Sequence, residues 1–239
     1  MSSMKKISIW LFYALIWEGA ALLVHKAIIL PSFSSVLFLM FQQLQTSVLY
    51  ISLATSLLRV LIGTMIALVV ALTMALLVES YPQLKPWFRP LILVSKTIPN
   101  ITYILIILIW FSREMTVSII TLLILFPVLF SHLSTAIETT IPEYNDLRQL
   151  FPESYTHRLV KVILPLIKTH LIESTQTAVS LGFKVGVMAE LLGQVQPGLG
   201  YQLYLAKLDL NTTALFAYTC WMIVTVVCAE KLIGIFKRD

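Results

Sequence analysis

Apolar residues along this chain gather into long, nearly unbroken runs separated by short polar stretches. Crossing a bilayer as a helix takes about 20 such residues. Runs near that length occupy positions 7–29, 56–78, 91–111, 116–137, 164–192 and 213–235. Together they predict an all-α membrane protein with about six transmembrane helices. Pro99 and Pro127 interrupt the third and fourth runs. Membrane helices tolerate such breaks where neighbouring groups re-satisfy the freed backbone. Barrel strands would instead show short alternating segments. The first run follows Lys5 and Lys6, with no small-x-small cleavage site behind an apolar core, and is read as a retained helix.

Composition sharpens this picture. Of 239 residues, 58% are hydrophobic and 12% charged, whereas a soluble domain carries about 25% charged residues. Too few polar groups exist to cover a water-facing surface, so part of the solvent is lipid. Six spans place both termini on one side. Lys5, Lys6, Lys85, Arg89, Arg148, Arg158, Lys161, Lys168, Lys231, Lys237 and Arg238 fall on that side, against Lys26, Arg113 and Lys207 on the other. Excess Lys and Arg marks the cytoplasmic face, so both termini are expected to be cytoplasmic. The net charge of +5 follows from this asymmetry and gives no reason to expect nucleic acid. Cys220 and Cys228 lie in the last run without His or acidic neighbours at metal spacing, and read as small core residues.

The longest polar stretch, residues 139–163, reads TTIPEYNDLRQLFPESYTHRLVKVI and is cytoplasmic in this topology. A short helix between Pro142 and Leu150 is expected, with a break at Pro152. A polar loop of this length often has work beyond connecting two spans.

The fifth run carries the polar chemistry. At about 100° per residue, Glu173, Gln176, Thr177, Ser180 and Lys184 share one sector of the helix. Ala178, Gly182 and Gly186 form a small-residue ridge on the opposite face, suited to close helix approach. The polar stripe either lines a watery path or holds helices together by hydrogen bonds, with snorkelling a further account of Glu173. Glu18, Arg59, Lys96, Asn100 and His132 are further polar groups in the spans. The stretch from Lys96 to Asn100 interrupts the third span, either as a cavity-facing break or as a simple kink. Arg59 and Glu190 lie at matching depth and are candidates for an ion pair. His132 reads as an interior group.

No G-x-x-x-x-G-K-[ST] occurs among the eight glycines, and HExxH, paired Cys/His and G-x-S-x-G patterns are also missing. No catalytic residue and no metal site is assigned, and this chain is expected to bind no cofactor.

From about Leu30 onward the chain resembles the permeases of type I binding-protein-dependent ABC importers, in particular the nitrate/sulfonate/taurine branch. The likeness rests on Leu30-Pro-Ser-Phe-Ser-Ser-Val36, Ser56-Leu-Leu-Arg-Val-Leu-Ile-Gly63, Ile98-Pro99 followed by Leu108-Ile-Trp-Phe111, Ala189-Glu-Leu-Leu-Gly193, and Gly198-Leu-Gly-Tyr201 in the outer loop. The family's cytoplasmic loop has the form E-A-A-x3-G-x9-I-x-L-P. Counting back from Leu164-Pro165 puts Val162 at the Ile position, Pro152 at the Gly and Asp146-Leu147-Arg148 at E-A-A. The spacing is kept while the residues depart, Pro152 most of all, because Pro builds a turn differently from Gly.

The resemblance implies a single permease domain over residues 1–239, of the type I importer permease fold, in the bacterial inner membrane. Its coupling loop at 139–163 would dock on an ABC ATPase through Tyr144, Asp146, Leu147, Arg148, Pro152, Leu164 and Pro165. ATP and Mg would be bound by that ATPase. Two permease copies, expected to be identical, and two ATPases would form the unit, with an extracytoplasmic solute-binding protein delivering solute. The third and fifth spans would line the path, giving Lys96, Asn100, Gln176, Thr177, Ser180 and Lys184 that role. Glu190, Gly198 and Gly200 would form an outer gate or loop. The branch implies a small anion of the sulfonate, nitrate or taurine kind, or a vitamin-precursor heterocycle. Two other functions are open to the residues alone. One is an ion-coupled secondary transporter using Glu18, His132, Glu173 and Lys184, although no internal repeat is visible. The other is a membrane scaffold that docks through the polar loop.

Overall fold

The computed structural model describes residues 3–140 and 154–235. Among them all regular structure is helical: α1 (Ser3–Val24), α2 (Phe33–Gln43), α3 (Ser47–Ser80), α4 (Lys85–Thr97), α5 (Asn100–Trp110), α6 (Arg113–Thr140), α7 (Leu164–Gly193), α8 (Leu199–Leu208) and α9 (Thr212–Ile235). A 3₁₀ turn, Pro82–Leu84, joins α3 to α4. A helical turn, Tyr155–Arg158, and a π-helical turn, Leu159–Ile163, lead into α7.

The helix boundaries have local causes. Ser32 caps α2 by accepting the Ser35 N–H at 3.2 Å. Helix α3 runs 34 residues, about 51 Å at 1.5 Å per residue, and stops at Tyr81 because Pro82 disfavours helix at the residue before it. Ile98 is extended ahead of Pro99, which separates α4 from α5. The two helices meet at a 97° bend. Lys96–Asn100 is therefore a true break and not a kink. Pro165 stands in the first turn of α7, directly after the π-helical turn, so its missing N–H coincides with the change of hydrogen-bond register there. At the other end of α7, Gln194 takes a left-handed conformation and the Val195 N–H bonds the Glu190 carbonyl at 3.0 Å.

By length and composition, α3, α6 and α9 each suffice to cross a membrane, and α4 with α5 makes a fourth if the bent pair is one broken span. The expectation of about six is met only this far. Helix α7 has 30 residues but carries Lys168, Glu173, Lys184 and Glu190, and the apolar part of α1, Ser8–Val24, is short. Two helices were not anticipated. Helix α2 begins inside the 30–36 segment, and α8 begins at Leu199, where an outer loop was expected.

Helices α3, α6 and α7 form the centre. Arg59 of α3 lies beside Ser118 of α6 and Glu190 of α7, while Glu79 and Lys85 lie beside Arg158 and Glu138. So α3 and α6 run the same way and α7 runs back between them. Lipid tails are as apolar as leucine, so close packing and hydrogen bonds must hold these helices together. The sequence supplies the fit. Ala67, Ala71 and Ala75 of α3 are buried with Leu125, Leu129, Leu133 and Ile137 of α6. A Cβ on Gly63 would come within 2.5 Å of the Ser118 carbonyl oxygen and 2.7 Å of Thr121 Cβ. On α7, Ala178, Gly182 and Gly186 are all buried, as the ridge predicted. The outer faces of α3 expose Leu58, Ile62, Met65 and Val69, as a lipid-facing surface should.

Candidate functional site

Two polar arrangements stand out. The first closes one end of the central bundle. Glu190, in the last turn of α7, is 0% exposed. Its carboxylate accepts from Ser56 Oγ at 2.6 Å, Arg59 Nη1 at 3.0 Å and the Gly200 N–H at 3.0 Å. Ser56 Oγ in turn accepts the Leu199 N–H at 2.8 Å. Arg59 also donates to the Pro197 carbonyl at 2.6 Å and the Gln196 carbonyl at 3.3 Å. The first N–H groups of α8, which have no partner within their own helix, are thus satisfied by a carboxylate from α7 and a hydroxyl from α3. A Cβ on Gly198 would lie 2.6–2.8 Å from the Glu190 carboxyl atoms, so this approach requires glycine. Desolvating two charges is costly unless both are paired and hydrogen-bonded, and here both are. Glu190, Gly198 and Gly200 are brought together, and the Arg59–Glu190 pair forms.

The second arrangement is the polar face of α7, which divides in two. Gln176 and Ser180 are half-buried against α9. The Gln176 amide donates to the Glu230 carbonyl at 3.0 Å, and the Ser180 hydroxyl bonds the Glu230 carboxylate. Glu230 was not anticipated. It is followed at once by Lys231, so it reads as the polar end of a span, and only the contact with α7 reveals it. Glu173, Thr177 and Lys184 instead point outward. Lys184 makes no hydrogen bond or ion pair among the described residues. Between α6 and α7, Ser131, His132, Thr135, Thr139, His170 and Glu173 line much of a cavity of about 380 Å³, with His170 Nδ1 4.0 Å from Glu173. His132 is exposed rather than interior. Lys96 lies just before the α4–α5 break, and Asn100, half-buried, opens α5. Leu164 and Pro165 open α7. Tyr144, Asp146, Leu147, Arg148 and Pro152 lie outside the described residues. Among the described residues no three His, Cys, Asp or Glu side chains are grouped to hold a metal.

A family model described as binding-protein-dependent transport system inner membrane component matches residues 63–239, about three-quarters of the chain. The chain belongs to this family. It is a type I ABC importer permease, a multi-pass membrane transporter subunit and not an enzyme, and such permeases act with an ATPase and a binding protein. No curated protein sequence matches the chain. The permease match covers the central bundle from Gly63 onward, the α4–α5 break, α7 and both members of the Glu190–Gly200 contact. Arg59 and Ser56 lie just before it.

Proposed function

We propose that the chain forms, as a pair of identical copies, the translocation path of an ATP-driven importer for a small solute, with ATP hydrolysed by a separate ATPase docked at residues 139–163. The observation that carries this reading is the outward face of α7. Its back is locked into α3 and α6 by Ala178, Gly182 and Gly186, so Glu173, Thr177 and Lys184 cannot turn inward. Charges at membrane depth do not face lipid. They meet water in a path, or a second copy across it.

The bundle end that holds Glu79 also holds Lys85, Arg158, Lys161 and Lys168, and this excess supports a cytoplasmic assignment for it and for both termini. The bent α4–α5 pair, α1 and α7 then complete six spans. The Arg59–Glu190 end faces outward, where a binding protein would dock. Lys184 favours an anionic or zwitterionic solute of the sulfonate, nitrate or taurine kind over a neutral heterocycle. Gln176 and Ser180, engaged with Glu230, hold α9 to α7, and path lining falls to Thr177, Lys184, Lys96 and Asn100. The direct test is copurification from native membranes with mass spectrometry. A Walker-motif ATPase should come down in equal amount and be released by substitutions between Tyr144 and Pro152. A permease that purifies alone under the same mild conditions speaks for the scaffold or secondary-transporter reading.

A further inference from the structure

The two exits of segment 139–163 are each tied to the same corner of the bundle. Glu138, two residues before the end of α6, bonds Lys85 Nζ at 2.7 Å, and Lys85 is the first residue of α4. Arg158, at the end of the helical turn that leads into α7, bonds the Glu79 carboxylate near the end of α3. Glu79 and Lys85 are joined by a tight turn in which the Tyr81 N–H bonds the Leu77 carbonyl at 2.8 Å and the Leu84 N–H bonds the Tyr81 carbonyl at 2.9 Å. Entry and exit of the segment therefore grip one stiff corner, and that corner leads through α4 to the 97° break before α5.

The two pairs differ in strength. Lys85 and Glu138 are 46% and 47% exposed, whereas Arg158 and Glu79 are 11% and 12% exposed. Exposed pairs contribute little because water screens them, while a desolvated pair resists separation. The second Glu79 oxygen and Ser134 Oγ are buried without a partner among the described residues, and both residues line a cavity of about 310 Å³ beside the corner. That space gives the Glu79 carboxylate room to move while holding Arg158.

We propose that the Glu79–Arg158 pair is the mechanical link by which ATPase-driven motion of segment 139–163 reaches the α4–α5 break. Glu79 is a positioning residue in this scheme. The inference rests on the reading of 139–163 as the ATPase-coupling segment.

The test uses the whole transporter, permease with its ATPase, in lipid nanodiscs, with Cys220 and Cys228 replaced by serine. A nitroxide at Ile101→Cys, just past the break, reports line-shape change on adding MgATP and vanadate. The parent should shift. Glu79→Arg should keep the ATPase bound and hydrolysing while the population of shifted label falls about tenfold, within the range typical of intersite coupling. Glu79→Arg with Arg158→Glu should restore the shift, and Lys85→Glu should change it only about twofold. A protein that is merely destabilised would not regain the response by charge exchange. If Glu79→Arg fails to accumulate, Glu79→Gln is measured, with a loss of about fivefold expected. A full shift in the Glu79 variant, or no recovery on exchange, overturns the link while leaving the importer reading intact. A parent that neither holds an ATPase nor responds to MgATP overturns both.

Discussion

Arg59→Met tests the latch at the Arg59–Glu190 end of the bundle. The substitution leaves the Glu190 carboxylate fully buried, with Ser56 Oγ and the Gly200 N–H as its remaining donors. Removing one side of a buried pair costs about 3–5 kcal/mol because the other charge is stranded. The Arg59 side chain is 13% exposed, which places the loss at the lower end, about 3 kcal/mol. Adding Glu190→Leu removes the stranded charge but orphans the Gly200 N–H, at about 1–3 kcal/mol for that group, while the Ser56 hydroxyl, which also loses its acceptor, can rotate to a carbonyl one turn back on its own helix. The double variant should thus cost about 2 kcal/mol, less than Arg59→Met alone, so the cycle shows strong coupling. Reversible unfolding in mixed detergent–lipid micelles, followed by tryptophan fluorescence, gives these values. Hydrogen exchange gives a second readout, because the Leu199 and Gly200 amides should lose protection first. Arg59→Met within about 0.5 kcal/mol of the parent, or a double variant equal to the sum of the singles, would refute the reasoning.

Three further outcomes follow from the same geometry. Gly63→Val should destabilise the bundle by about 1–3 kcal/mol, since its side chain would meet Ser118 and Thr121 across the α3–α6 contact; unchanged unfolding would count against close packing there. Lys184→Leu should lower solute uptake while leaving assembly and stability intact, because Lys184 points outward without a partner among the described residues; uptake at parental level would remove it from the path. Asp146→Lys should weaken ATPase docking, read as loss of copurification and of stimulated hydrolysis. Normal values in both would detach Asp146 from coupling.

Much of this arrangement is legible in the residues themselves. Five of the six apolar runs lie wholly or largely within single helices, and the third breaks at the Lys96–Asn100 stretch that marked it. The α7 ridge was readable because a helix places Ala178, Gly182 and Gly186 on one line whatever packs against them. The Arg59–Glu190 pair was readable as an option, since two opposite charges at one depth have few other ways to be satisfied. What stayed hidden depends on partners distant in sequence. Helix α8 opens with Gly198 and Gly200, which locally signal a turn. They are glycines because Glu190 packs against them. Glu230 looks like a span end until Gln176 and Ser180 are seen to hold it. Helix α3 extends nine residues before the predicted start, because residues of that stretch such as Leu49 and the polar Ser52 are buried inside the bundle rather than left outside a span.

The importer reading stands or falls on uptake by liposomes carrying the permease with its copurified ATPase and binding protein, using radiolabelled taurine, nitrate and a neutral vitamin-precursor heterocycle as probes. At least one probe should accumulate only with MgATP in the ATPase-facing compartment, and Lys184→Leu should reduce this accumulation. Accumulation by the permease alone, driven by a proton or sodium gradient and indifferent to ATP, would contradict it.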